Sequence, residues 1–334
     1  MFAPTVFGRS SQTNHHIVEH QPQTEQEMEE SRAALRACPV AAIRIENQAF
    51  RNHRNMEPLT KEEKQMVSQI TSSLDTSFPR PVSTNIQGTY FVGHHNSASF
   101  GAAPYLIQTK QYGWILIDSP KYSNSAVKAI ESLTGPQGPS YLILTHVDDT
   151  AGHGDWKEKY PNLKRVFHSG DLGKENWIGD DTLENVEILL PQKTHTRDGW
   201  EFMTLEGEFV ANSNDLATKY EVLLLHTPGH SKGSITLWKV PSDGKSNGIL
   251  FTGDTYSYTT RNGGHMTGFP RYGNDLDQQA KTLTHLLELD WHFIAPGHGH
   301  VRDYTTLQNT ELKTVQANEM QHAIDELSLS RRRF

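Results

Sequence analysis

The chain has 334 residues, a formal net charge of −8 and one cysteine, Cys38. Its length suits one large domain or two ordinary ones. The acidic balance argues against a surface for nucleic acid or an anionic membrane, since both want a basic patch, and one thiol excludes a disulfide framework. No apolar run reaches the length of a membrane span, and the first twenty residues lack the apolar stretch of a secretory signal. A cytoplasmic protein is therefore expected, with an organelle matrix left open by an acid-poor start that carries Ser, Thr and Arg9.

Residues 1–30 are rich in Gln, Glu and His without apolar periodicity, and are expected to be disordered. Residues 31–46 read as a short helix, a Cys-Pro turn and a short strand, and a polar helix is predicted over 60–73. Phe78-Pro79-Arg80-Pro81 reads as a linker, because two prolines this close break regular structure. It closes a small extension over 31–87. From residue 88 onward short dense apolar runs follow in quick order, a texture that suits buried strands. Strands are predicted at 89–92, 105–108, 113–117, 141–145, 220–225, 234–240, 249–252 and 293–295, with helices at 126–133 and 276–289. In the second helix Leu283, Leu286 and Leu287 share one face at the i, i+3, i+4 spacing. These elements define a main domain over 88–304. Residues 305–334 read as a polar helix followed by a solvated basic tail. Strands and helices mixed in this way indicate an α/β (α+β) sandwich with helices outside.

Histidine is the compositional outlier, at 18 residues, and several stand at strand ends. The run 141–145 delivers His146. The run 220–225 leads through His-Thr-Pro-Gly to His230, 249–252 through a glycine to Asp254, and 293–295 through Pro-Gly to His298. In open sheets, sites gather outside strand ends, and glycine lets the backbone turn sharply there. Three imidazoles and a carboxylate from four loops can surround a borderline divalent ion at about 2 Å per bond. Any one such residue is more often a satisfied polar group, the class to which His226, His285 and His292 are assigned. Four together, each behind an apolar strand, are hard to explain as packing.

These motifs resemble the metallo-β-lactamase fold superfamily over about residues 88–302. His-Thr-Pro-Gly-His230-Ser-Lys-Gly-Ser234 matches its third motif, Phe-Thr-Gly-Asp254 the motif with the bridging aspartate, and Pro-Gly-His298-Gly the last motif. The run 105–107 with 115–117 and Asp118 resembles its early strand pair. The resemblance implies an αββα sandwich with a metal site at one edge, between two sheets. The first motif departs from the family's His-x-His-x-Asp-His and reads His146-Val147-Asp148-Asp149-Thr150-Ala151. Only its first histidine stands, so the usual dinuclear zinc site is not implied. Two carboxylates and His153 remain. If a helix starts near Asp149, His153 lies one turn along the same face, so that Asp148, Asp149 and His153 make a shifted ligand set. This Asp-Asp-x-x-x-His form is similar to a subgroup with a ferredoxin-like N-terminal remnant, and residues 37–45, Ala-Cys-Pro-Val-Ala-Ala-Ile-Arg-Ile, resemble that remnant. No iron–sulfur cluster is expected, because a cluster needs about four thiolates. Cys38 is expected to be a small buried packing residue.

The resemblance implies first a metal-dependent hydrolase, in which metal-activated water attacks an ester, thioester or related bond of a small molecule. The metal ligands would come from His146, Asp148, His153, His230, Asp254 and His298, with Asp149 and His298 as catalytic groups. Zinc is the first expectation for the metal and iron the second. A second reading is a mononuclear iron oxygenase similar to persulfide dioxygenases, since His146, His230 and Asp254 are two imidazoles and a carboxylate. A third, motivated by Thr150 and Ala151, is a non-catalytic metal-binding or regulatory protein. The partner expected is a small-molecule substrate, with no nucleic acid and no membrane. A homodimer is left open. His94-His95-Asn96 lies where this fold often has a loop over its site, and Lys232 is expected to be solvated.

Overall fold

The structure is a computed structural model that describes residues 2–10, 12–13, 15–72, 77–191, 202–210, 219–241 and 247–330. The chain opens with a hairpin of β1 (Phe7–Arg9) and β2 (His16–Val18), followed by helices α1 (Glu25–Ala37), α2 (Gln48–His53) and α3 (Lys61–Ser72). The disorder expected over residues 1–30 is thus corrected. The signal lay in Thr24-x-x-Glu27, a helix-start pattern inside the polar run. The Thr24 hydroxyl accepts the Glu27 amide proton, and the Glu27 carboxylate accepts that of Gln23. α1 then buries Met28, Ala33 and Ala37. The short strand expected after Cys38 does not form. Cys38 is half-buried rather than buried, and its sulfur accepts the Ala42 amide at 3.2 Å.

Two seven-stranded sheets make up the rest. The first contains β3 (Arg80–Pro81), β4 (Thr89–Phe91), β5 (Tyr105–Thr109), β6 (Gly113–Ile117), β7 (Tyr141–Ile143), β8 (Lys164–His168) and β9 (Ile188–Leu190), in that spatial order. It is antiparallel from β3 to β6 and parallel from β6 to β9. Helices α4 (Asn124–Thr134) and α5 (His153–Lys159) make the crossovers before β7 and β8. The expected linker at 78–81 is corrected as well. Arg80–Pro81 pairs with β4 as an edge strand, the one place a sheet tolerates proline, and Phe78 is buried.

The second sheet is built from β10 (Phe202–Met203), β11 (Phe209–Val210), β12 (Val222–His226), β13 (Ile235–Lys239), β14 (Ile249–Gly253), β17 (Phe293–Pro296) and β18 (Arg302–Asp303). Its order is β11-β10-β12-β13-β14-β17-β18. Between β14 and β17 run the hairpin β15 (Ser257–Thr259) and β16 (His265–Thr267) and helix α6 (Leu276–Leu286). Helix α7 (Asn309–Ser330) packs on α6 and β16. Among the described residues no helix is long and apolar enough to cross a membrane.

Alternation along each strand builds three apolar layers. Tyr105, Ile107, Ile115, Ile117, Ile143, Leu224, Leu237, Phe251 and Phe293 point between the sheets. Leu106, Leu116, Leu142 and Leu144 point outward to α4 and to Trp156 of α5. Leu223, Leu225, Leu250 and Ile294 meet α6 and α7. Because both faces of each sheet are covered, the strands read as continuous apolar runs rather than alternating ones, which is why the sequence exposed them so clearly. The result is the expected αββα sandwich. Phe251 sits at its centre, fully buried and edge-on to Tyr105 at 5.5 Å. Phe251→Ala is expected to cost about 3–5 kcal/mol of stability through the cavity it leaves, measurable as a lowered midpoint in urea with unchanged slope.

Candidate metal centre

Five chain turns meet at one edge of the sandwich. β6 ends at Asp118, β7 leads to His146, β12 to His230, β14 to Asp254 and β17 to His298. Two cross-sheet hydrogen bonds hold this edge together: the Ile235 amide to the Thr145 carbonyl at 2.8 Å, and the Ala103 amide to the Gly297 carbonyl at 2.7 Å. After His146 the chain makes a 3-10 turn, Val147–Asp149, which brings both aspartates onto the cluster. Gly297 is required for close approach. A Cβ there would lie 2.8 Å from Asp149 Oδ2 and 3.2 Å from Asp254 Oδ1.

Four atoms converge in the first half of the cluster. His146 Nε2 lies 3.8 Å from Asp148 Oδ2 and 4.0 Å from Asp254 Oδ2, while His230 Nε2 lies 3.5 Å and 3.7 Å from the same two oxygens. The imidazoles of His146 and His230 stand edge to face at 4.8 Å. Bonds of about 2.1 Å in a tetrahedron put ligand atoms about 3.4 Å apart, and these four separations lie near that spacing; His146, Asp148 and His230 form one candidate ligand group, and His146, Asp149 and Asp254 another. In the second half, Asp149 Oδ2 lies 3.9 Å from both His146 Nδ1 and His298 Nδ1. His298 Nδ1 donates to both oxygens of Asp254, at 2.9 and 3.0 Å.

Burial makes this arrangement expensive unless something positive joins it. Asp149 is fully buried, and neither of its oxygens has a hydrogen-bond partner among the described residues; His146 Nε2 is likewise buried and unpartnered among them. Native interiors rarely leave such atoms unsatisfied, and an isolated buried carboxylate is costlier still. Burial pushes the Asp149 carboxyl well above its usual range and the His146 imidazole down to about 4. At Asp254, burial is outweighed by His298, His230 and His146, which hold the carboxyl below its usual range. At His298, burial is outweighed in turn by Asp254 and Asp149, which push the imidazole up to about 10. Unsatisfied buried donor atoms, two imidazoles and up to three carboxylates are the chemistry of a divalent-cation site. The residues present therefore fit the metal that the motifs imply.

Two further aspartates position the candidate ligands. Asp118 accepts the Thr145 amide at 2.9 Å and the Thr145 hydroxyl at 3.1 Å, and that hydroxyl meets His146 Nδ1 at 3.0 Å. Asp171, just past β8, bridges the two ligand loops. Its Oδ2 accepts the Val147 amide at 3.0 Å and the Ser231 hydroxyl at 2.7 Å, and its Oδ1 accepts the Gly233 amide at 2.5 Å. Sequence reading missed Asp171. Its only signal was an acid shortly after an apolar run, with no motif around it.

The structure does not bring His153 to the cluster, which corrects the shifted ligand set. The helix starts at His153 itself, not near Asp149, so the residue is turned toward β8. Its Nδ1 faces Arg165 Nη1 at 3.0 Å, and its Nε2 faces Asp180 Oδ2 and Thr182 Oγ1, each at 3.1 Å. The Arg165 guanidinium in turn bonds both oxygens of Glu187, at 3.0 and 3.1 Å. The loop at 94–101 does lie beside the site. Asn96 donates to the Ala151 carbonyl at 2.9 Å, and Ser99 accepts the Ala151 amide at 3.1 Å. Lys232 is paired with Glu175 at 2.6 Å rather than free in solvent.

Residues 1–45 match the family model described as the 4Fe-4S single cluster domain of Ferredoxin I. The chain does not fit such a cluster, since Cys38 is its only thiol. No curated protein matches the chain. Among solved structures it is similar to an archaeal metallo-β-lactamase superfamily protein, ST1585 from Sulfolobus tokodaii. That pair shares 16% identity over 69% of this chain and 89% of the other, with a TM-score of 0.38. It is also similar to the metallo-β-lactamase FIM-1 from Pseudomonas aeruginosa in its mono-zinc form, at 14% identity over 73% and 96%, TM-score 0.44. A third is the chemotaxis sensor ODP with a peroxy diiron species, at 16% over 72% and 91%, TM-score 0.44. The two sheets, the outer helices and the motif residues gathered at one edge define the metallo-β-lactamase fold, with a candidate metal centre in it.

Two expectations follow from this geometry. His230→Ala and Asp254→Ala should each abolish tight metal binding, whereas His153→Ala should keep the metal and lose about 1–3 kcal/mol of stability from the buried polar groups it leaves; elemental analysis and urea unfolding read the two effects. At Glu187, burial is outweighed by the bonds from Arg165, and its carboxyl is held down to about 2. Its contribution is therefore complete above the ordinary glutamate range of about 4.3 and is lost as pH falls from there through about 2. Unfolding midpoints measured across that window should fall less steeply in Glu187→Gln than in the unaltered chain.

Proposed function

We propose that the protein is a metal-dependent hydrolase that uses water to open an ester, thioester or related acyl bond of a small molecule. The observation that carries this reading is the cage of His146 Nε2, Asp148 Oδ2, His230 Nε2 and Asp254 Oδ2, with its facing separations of 3.5–4.0 Å. Two imidazoles and two carboxylates suit zinc among the common divalent ions. An ion held there supplies Lewis acidity, acidifying water and polarising the acyl oxygen. Asp149, on the wall of the cage, has the free buried oxygens to accept a proton from the attacking water. His298, held on Asp254 through Nδ1, would supply from its Nε2, unpartnered among the described residues, the proton that the leaving oxygen or sulfur requires. Asp118 and Asp171 keep the His146 and His230 loops in register, so that little reorganisation is needed during turnover.

The iron oxygenase reading fits less well. Such centres need open positions beside two imidazoles and one carboxylate, and Asp148 Oδ2 closes one of them by facing both imidazoles.

The deciding measurement is metal content per chain after expression with zinc and iron both supplied, followed by a screen of thioesters, lactones and phosphodiesters. Zinc retained with acyl hydrolysis is the expected result, and Asp149→Asn should keep the metal while lowering kcat by about 10²- to 10⁴-fold. About one iron per chain with oxygen uptake, or no metal after reconstitution, would overturn the proposal.

A further inference from the structure

Trp177 stands just beyond the short helix Gly173–Glu175 and is 60% exposed, an uncommon place for an indole. Two contacts hold it. Its ring lies 5.9 Å from that of Phe100, with the planes inclined at 33°, and its Nε1–H donates to Asp148 Oδ1 at 2.9 Å. Phe100 is equally exposed and takes a left-handed backbone conformation, φ 49°, strained for a residue with a side chain. Ser99, its neighbour, accepts the Ala151 amide at 3.1 Å, so the ring that steadies Trp177 belongs to a loop tied to the turn after Asp148.

The two oxygens of Asp148 therefore face different partners. Oδ1 receives the indole proton, while Oδ2 faces His146 Nε2 at 3.8 Å and His230 Nε2 at 3.5 Å. A free carboxylate can bind a cation through one oxygen or through both, and the choice changes the coordination number. An indole N–H is a donor only, so it can occupy an oxygen without competing for the metal. We propose that Trp177 is a positioning residue of the metal centre: its indole N–H occupies Asp148 Oδ1, so that Asp148 presents Oδ2 alone to the cage. This inference rests on the metal-centre reading above.

Cobalt(II) added to the metal-free full chain tests it, because four-coordinate cobalt absorbs visible light more strongly than five- or six-coordinate cobalt. Trp177→Phe keeps an aromatic ring against Phe100 and removes the donor. At saturating cobalt its visible band should be weaker than that of the unaltered chain, and its affinity about 10-fold lower, the low end for loss of a partner that orients a ligand. In an Asp148→Asn background, where the side chain has one oxygen, adding Trp177→Phe should change neither band nor affinity. Equal losses in both backgrounds would mean that the ring acts by packing, and would overturn the inference. So would a Trp177→Phe protein whose band and affinity match those of the unaltered chain. If the unaltered chain binds no cobalt, the metal-centre reading itself falls, and this inference with it.

Discussion

Three carboxylates, Asp148, Asp149 and Asp254, crowd the interior edge of one sandwich, and the architecture around them answers that crowding. Like charges so close and so dry repel strongly, and among the described residues Asp149 has no hydrogen bond to soften the effect. The fold brings His146, His230 and His298 against the acids from three separate strand ends. It also spends a glycine, Gly297, at the point where any side chain would drive two of the carboxylates apart. A buried pocket of this composition is poor packing material, which is why it marks a site rather than a core.

The sandwich makes such a pocket affordable. Each sheet is covered on both faces, so the apolar layers can hold the strand ends rigid while the loops carry the polar groups. Asp171 shows how the two parts connect. It belongs to neither ligand loop, yet it takes amide protons from beside His146 and from beside His230. One buried acid thereby fixes the spacing between ligands delivered by different sheets. Asp118 and Asp171 are held by amide and hydroxyl protons, which suits them to position their neighbours, whereas Asp149 has no such bond among the described residues.

Much of the sandwich was legible because burial on both faces writes long apolar runs into the sequence, as at Gly113–Ile117 and Ile249–Gly253. The short strands β10, β11 and β18 were not, since two-residue strands leave no periodicity. The N-terminal hairpin was hidden inside a polar stretch. The gathering of His146, His230, Asp254 and His298 at one edge was legible, because an apolar strand followed by a sharp turn and a polar residue is a local signal. His153 was misread for the complementary reason. Its spacing from Asp149 suggested one helix face, and only the three-dimensional placement of Arg165 and Asp180 turns it away. Trp177 and Asp171 are far in sequence from the residues they serve, and no pattern links Trp177 to Asp148 before the chain folds.

The first residues of the chain touch the wall of the site. Phe2 packs edge-on against Phe78, Phe91 and His95, and Pro39 stands where a side chain at Gly101 would have to go. His95 and Gly101 bracket the loop that bonds to the Ala151 backbone. The ferredoxin-like segment has the thiols for no cluster, yet it serves this loop as a buttress. It works here as masonry: the loop beside the candidate metal centre has its footing in the extension.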